Sequence, residues 1–410
     1  MTSRLNNWAQ NFLRVLLGLS LLASASAQTI TPLYGASGGF TNLLSQGSAE
    51  GAAIAPLDLT SRPGWVVTAA CNLLDQNQDS QLLLAVWKDT GTALVEEGSH
   101  TASSLNCTIG LAVVSLENTN AQGITTVVAA TVSITQVLTI SAWQVSSSGA
   151  ISPLGTPVVD TSSFLPLGVA ITSLPKAHRV VTTVNPSAAS LKVATWNIPS
   201  TGDITELDSV FVPNLTGIGS VTYISSTEAV TADLGANGND MYVTSWGIDG
   251  FGNLTQISSA MVACTSPGVP TIARYLLGSN PQVITACNES LTNIRVNTWG
   301  VTEGVVTLES TLIRPSMPES PAISYIPGDD LPFATEYGGN NVFDALVFYQ
   351  PASTLEELAS YHTTWVNYFP LSQGVAPENT HRVVTAEEDF DRCGSAGCEL
   401  ELEVWYFDSD

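Results

Sequence analysis

Positive charge is what this sequence lacks most: 12 Lys+Arg stand against 36 Asp+Glu, for a formal net charge of −24. A surface that follows nucleic acid or lies on anionic lipid needs clustered bases, so no nucleic-acid partner is expected. Charge of either sign is scarce, at 12% of residues, while 44% are hydrophobic, the reverse of a chain kept disordered by charge. Long apolar runs are missing too. The one run near the N-terminus, Val15 to Leu22, is shorter than the roughly 20 residues a membrane span requires. It follows Arg4 and Arg14 and precedes Ala25-Ser26-Ala27, the layout of a cleavable secretory signal. Residues 1–27 are therefore expected to be removed on export. Residues 28–410 would form one domain in an extracellular or periplasmic space, without membrane insertion and as a monomer.

Several familiar linear signatures of catalysis are absent. There is no His-Glu-x-x-His pair, phosphate-binding glycine loop or dinucleotide fingerprint. Cys-x-x-Cys is missing as well, which sets aside a thiolate metal site.

What the sequence has in abundance is self-similarity. Six tryptophans close related strand-like segments: Leu82 to Trp87, Leu138 to Trp143, Leu191 to Trp196, Met241 to Trp246, Ile294 to Trp299 and Leu400 to Trp405. Their spacings are 56, 53, 50, 53 and 106, and Phe343 to Phe348 is a degenerate copy inside the double gap. Upstream of most copies lies a β-branched run such as Val66-Val67-Thr68-Ala69 or Val383-Val384-Thr385-Ala386, which reads as a strand. Further upstream are runs apolar on both faces, Ile109 to Leu116, Leu167 to Leu174 and Thr271 to Leu277, suited to the innermost strands. After the Trp comes Gly-x-apolar-Ser/Thr-x-apolar, as in Gly149 to Leu154, Gly202 to Leu207 and Gly252 to Ile257. Four short strands per period with almost no helical periodicity predict radially packed sheets.

The reading is thus all-β, with seven four-stranded antiparallel blades whose strands we name A to D from the inside outward. The last copy stops after its Trp405 strand and lacks strand D, while Gly38-x-Phe40-Thr41-x-Leu43 carries the strand D pattern near the other end. Pairing these two regions would close the ring and remove two open sheet edges. In this the chain resembles seven-bladed β-propeller repeat proteins over nearly all of residues 28–410. The resemblance is architectural and implies no activity, and the Trp-Asp and Gly-His signature of WD40 repeats is absent.

Because the tryptophans recur with the repeat, they are expected to fill the space between blades. Residues that break the repeat are better candidates for ligand contact, namely Trp65 and Trp365. The strand order places B–C hairpins and D–A links on one face and A–B and C–D turns on the other. The first face should be an acidic rim, with Glu387-Glu388-Asp389-Phe390-Asp391 its densest stretch, and is the expected working face. There Asp75-x-Asn77-x-Asp79 has the alternating oxygens of a calcium loop, although no glycine follows and no bidentate Glu is in place. The cysteines fall on the same face, and proximity pairs Cys71 with Cys107, Cys264 with Cys287 and Cys393 with Cys398, disulfides that export would favour. On the opposite face His178-Arg179 and His381-Arg382 share one repeat position and are candidates for an anion.

The function expected from these features is extracellular recognition of a glycan or protein ligand, with calcium the one cofactor suggested. Two alternatives stay open: a polysaccharide lyase or hydrolase whose active residues are scattered over several blades, and a structural component of a cell envelope or extracellular assembly.

Overall fold

A computed structural model of the chain describes residues 28–43, 52–73, 80–107, 110–117, 123–133, 135–160, 168–187, 190–215, 219–264, 270–277, 280–290, 293–315, 321–326, 331–338, 342–350, 354–364, 373–379, 381–394 and 397–408. The expected signal segment, residues 1–27, lies outside this set.

Seven antiparallel sheets form a β-propeller, and among the described residues there is no helix. The innermost strands, one per blade, are Ala52–Pro56, Gly110–Ser115, Val169–Leu174, Ser220–Ser225, Thr271–Leu277, Ala322–Ile326 and Gln373–Asn379. Each touches its neighbour around the ring, the last meeting the first. Blade 2 differs at its outer edge, where strand D is broken into Ile151–Pro153 and Val158–Asp160, both paired to Leu138–Val145.

Apolar side chains alternating along strands B and C fill the gaps between blades, so the core is a ring of separate interfaces. One such cluster joins Val180 and Trp196 of blade 3 to Val128 and Ile140 of blade 2. The six repeated indoles are buried there and five of them are hydrogen-bonded, as expected of packing residues. Trp87, Trp196, Trp246, Trp299 and Trp405 each donate Nε1–H to a strand B threonine, Thr68, Thr182, Thr231, Thr285 and Thr385, at 2.8–3.1 Å. Where blades meet backbone to backbone the sequence supplies glycine. A Cβ on Gly155 would collide with the Gly202 carbonyl, and both residues hold positive φ, 71° and 84°.

Strand Thr29–Leu43 closes the ring on Gly397–Asp408. Its register corrects the expected motif. Pro32, not a residue of the Gly38–Leu43 stretch, stands opposite Trp405, while Gly38 pairs Leu400 at the far end of the strand. The equivalent of Ile151-Ser152-Pro153-Leu154 is Ile30-Thr31-Pro32-Leu33, because Pro153 in turn faces Trp143. No glycine precedes Ile30 by two residues, and none is needed. In other blades that glycine makes the C–D turn at positive φ (Gly149 87°, Gly202 84°, Gly252 95°), whereas the closing strand reaches its partner without such a turn.

Two disulfides clamp B strands to D–A links on one face, Cys71–Cys107 and Cys264–Cys287, with Cα separations of 5.7 and 6.1 Å. Cys393 and Cys398 flank the B–C hairpin of the last blade, and their side chains lie outside the described set.

The scarce bases are used mainly between blades. Lys192 of blade 3 reaches Asp160 of blade 2 at 2.6 Å and Glu206 of its own blade at 3.0 Å. Arg314 of blade 5 binds Asp344 and Glu357 of blade 6, both at 2.9 Å, and His362 shares Asp344 at 2.6 Å. Arg382 of blade 7 pairs Asp89 of blade 1, and Arg62 of blade 1 donates to the Gly123 carbonyl in the A–B connection of blade 2.

Candidate functional site

Hydrogen-bond register locates one residue per blade at a common height on the innermost strand. Pro56, Ser115, Ser173, Tyr223, Arg274 and Pro377 each pair the strand B residue that itself pairs the repeated Trp. Tyr325 of blade 6 pairs Pro332, beside the Phe333–Val347 pair, and so holds the same height relative to Phe348. All seven line one cavity of about 220 Å³ at the A–B end of the central channel. The layer is lopsided. Blades 7, 1, 2 and 3 contribute two prolines and two serines, whereas blades 4, 5 and 6 contribute Tyr223, Arg274 and Tyr325 in succession.

The Arg274 guanidinium lies over the Tyr223 ring, 5.1 Å from its centroid. The Tyr223 hydroxyl donates to Glu117 Oε1 at 3.3 Å. Burial pushes this phenol well above its ordinary pKa, with Tyr325 and Glu117 adding to the rise and Arg274 opposing it. Tyr223 is therefore a hydrogen-bond donor at neutral pH. On the same rim the Asp58 carboxylate accepts the Thr60 and Ser61 N–H groups at 3.2 and 3.3 Å. Glu228, which pairs Ser225 at the end of the Tyr223 strand, is held above the usual carboxylate range by burial.

Trp65 opens strand B of blade 1 on this face, half-buried, with Arg62 and Lys88 over its ring at 5.4 and 5.3 Å. Arg179 donates to the carbonyls of Asp249 and Gly250 at 3.0 and 2.5 Å, tying blade 3 to blade 4, and His178 is exposed beside it. Arg382 is engaged by Asp89, and the His381 ring meets Tyr406 edge-on at 6.4 Å. No described contact joins the two His-Arg pairs.

Trp365 and the calcium candidates Asp75, Asn77 and Asp79 lie outside the described residues, as do the side chains of Glu387 to Asp391. Among the described residues no group of three or more His, Cys, Asp or Glu could hold a metal ion. The described acids of that rim are internally committed: Glu289 pairs Arg295, and Asp240 accepts from Asn237 at 2.5 Å. Asp233 is buried, accepts the Leu234 N–H at 2.8 Å, and is raised well above the normal carboxylate range by desolvation.

The expected working face thus carries the disulfides, while the channel cavity lies at the opposite face. Sequence reasoning passed over Tyr223, Arg274 and Tyr325 because they sit inside strands. The signal that finds them is register: aligning the inner strands on the tryptophans exposes one position where the repeat has no consensus.

No protein-family model matches the sequence, and no curated protein is similar to it. Solved structures do share its architecture. A putative 6-phosphogluconolactonase from Bacteroides fragilis is similar at a TM-score of 0.54 and 12% identity, over 84% of this chain and 98% of that one. The periplasmic gluconolactonase of Pseudomonas aeruginosa is similar at a TM-score of 0.53 and 13% identity, over 77% and 86%. The six-bladed fucose-binding lectin of Aleuria aurantia reaches 0.47 at 11% identity, over 77% and 96%. At such identities the likeness is one of fold.

Proposed function

We propose that this propeller is an exported recognition module that takes the end of a glycan into the mouth of its central channel. The observation that carries the reading is the Tyr223–Arg274–Tyr325 arc, set at the one height where the blades stop resembling one another and facing a side lined by small residues. Aromatic rings offer apolar faces to a sugar's C–H surface, and Glu117, Ser115 and Ser173 supply polar partners for its hydroxyls. At about 220 Å³ the cavity is smaller than the roughly 300–1,000 Å³ typical of drug-sized ligands, which suits one or two sugar rings rather than a run of polymer. The two disulfides fit an oxidising compartment, and the protein recovered from outside the cytoplasm should begin at Gln28.

Glycan-array screening followed by calorimetric titration tests the site. The double substitution Tyr223→Ala with Tyr325→Ala should weaken the best array ligand at least about tenfold. Unchanged affinity would remove the channel from consideration. A second reading, a hydrolase or lyase on the same face, is favoured by Glu228, which sits at the A–B turn of blade 4 outside the cavity lining and whose raised carboxyl suits a general acid. Reducing-end and unsaturated-product assays on neutral and acidic polysaccharides separate the two, and product release abolished by Glu228→Gln would decide for the enzyme.

A further inference from the structure

The mature chain has few cations, and the fold commits most of those described to oxygen atoms. Lys192, Arg295, Arg314 and Arg382 face carboxylates. Arg62 and Arg179 face backbone carbonyls. Lys88 rests on Trp65, and Lys176 sits exposed in a turn at positive φ. Among the described cations Arg274 alone lines the channel cavity. It is half-buried in the channel wall, its only described contact is the Tyr223 ring, and its buried Nε has no hydrogen-bond partner.

The nearby acids do not neutralise it. Glu117 accepts the Tyr223 hydroxyl, the Asp58 carboxylate accepts two backbone N–H groups, and among the described residues no carboxylate comes within ion-pair distance of Arg274. A buried Nε–H without an acceptor carries a desolvation cost that a ligand oxygen would relieve. The planar fork of donors that remains matches a carboxylate in two-point geometry.

We infer that the glycan end recognised in the channel is an acidic sugar, a terminal uronate whose carboxylate docks on the Arg274 guanidinium while its ring lies against Tyr223. This rests on the channel-binding reading above and narrows its ligand. The charge of the whole molecule sharpens it further. A net charge of −24 repels a polyanion, so a single acidic residue at a chain end fits better than a continuous acidic polymer.

The test is titration calorimetry of the full mature protein with glucuronate- and galacturonate-terminated disaccharides, their neutral glucose and galactose counterparts, and the same neutral sugars bearing a sulfate. The wild type should bind uronate ends at least about tenfold more tightly than neutral ends. Arg274→Gln should abolish that preference, Arg274→Lys should retain part of it, and Lys176→Gln should leave it intact. Because the preference is a ratio within one protein sample, a partly unfolded variant does not obscure it. Equal binding of uronate and neutral ends, or a preference that survives Arg274→Gln, overturns the inference. Stronger binding of sulfated than carboxylated ends overturns the carboxylate assignment. Neutral sugars that bind through Tyr223 without any acid preference would leave the channel reading standing alone, and silence from every sugar would remove both.

Discussion

Two rings of side chains lie at the same height in this propeller, one between the blades and one around the channel, and they obey opposite rules. Between the blades six positions hold Trp and one holds Phe348, and five of the indoles are fixed by a threonine two residues along the neighbouring strand from the register partner. Around the channel the seven residues are two Pro, two Ser, two Tyr and one Arg. Both rings are set by the same hydrogen-bond ladder, so geometry alone does not explain the contrast. Packing between blades poses one problem seven times and receives nearly one answer. The channel is a single space seen from seven sides, and its lining need not repeat.

Substitutions sharpen this contrast, starting with the largest effect. Trp246→Ala should cost about 3–5 kcal/mol, read as a lowered unfolding midpoint, since it empties a fully buried site between blades 3 and 4. A midpoint unchanged from wild type would break the distinction between the rings. Replacing Cys264 and Cys287 together by Ser should cost about 2–4 kcal/mol by releasing a clamp between strand and link. Thr285→Val keeps the shape but strands the Trp299 indole N–H, at about 1–3 kcal/mol. Arg274→Gln should move stability by no more than about 1 kcal/mol, because the Tyr223 ring contact it loses is offset by removal of an unpartnered Nε–H.

One interior group gives the comparison a pH axis. Desolvation raises the Asp233 carboxyl well above its unfolded value, so the folded state holds this proton more tightly. Its contribution to stability is fully present below the unfolded value of about 3.9 and is lost as pH rises through the folded value. Asp233→Asn should therefore gain on wild type as pH climbs toward neutrality, measured as a growing difference in unfolding midpoints. A difference that stays constant with pH would show that the carboxyl titrates normally.

The same contrast governs what could be read from the sequence. Blade number, strand order and the cysteine pairs Cys71–Cys107 and Cys264–Cys287 were legible because packing and covalent closure recur at fixed intervals. The closing strand was legible as an idea but placed too far along. Gly38 and Phe40 imitate a motif whose glycine serves a turn, while Ile30-Thr31-Pro32-Leu33, the true counterpart, has no turn to make. The His-Arg pairs looked like chemistry because they repeat, yet Arg179 and Arg382 repeat in order to fasten blades. Arg274 was invisible for the converse reason. Within Thr271–Leu277 it is the one charged residue in a largely apolar strand, and only the ladder shows that it stands between two tyrosines from neighbouring blades.

The seventh sheet joins Thr29–Leu43 to strands that end at Asp408, residues from opposite ends of the described chain. A polypeptide emerging N-terminus first can complete six sheets in order, but must hold its earliest strand in waiting until the latest one appears. During that interval an edge lies open to any passing strand, and a chaperone that shields Thr29–Leu43 would act on the one step that neither proximity in sequence nor local propensity can hasten.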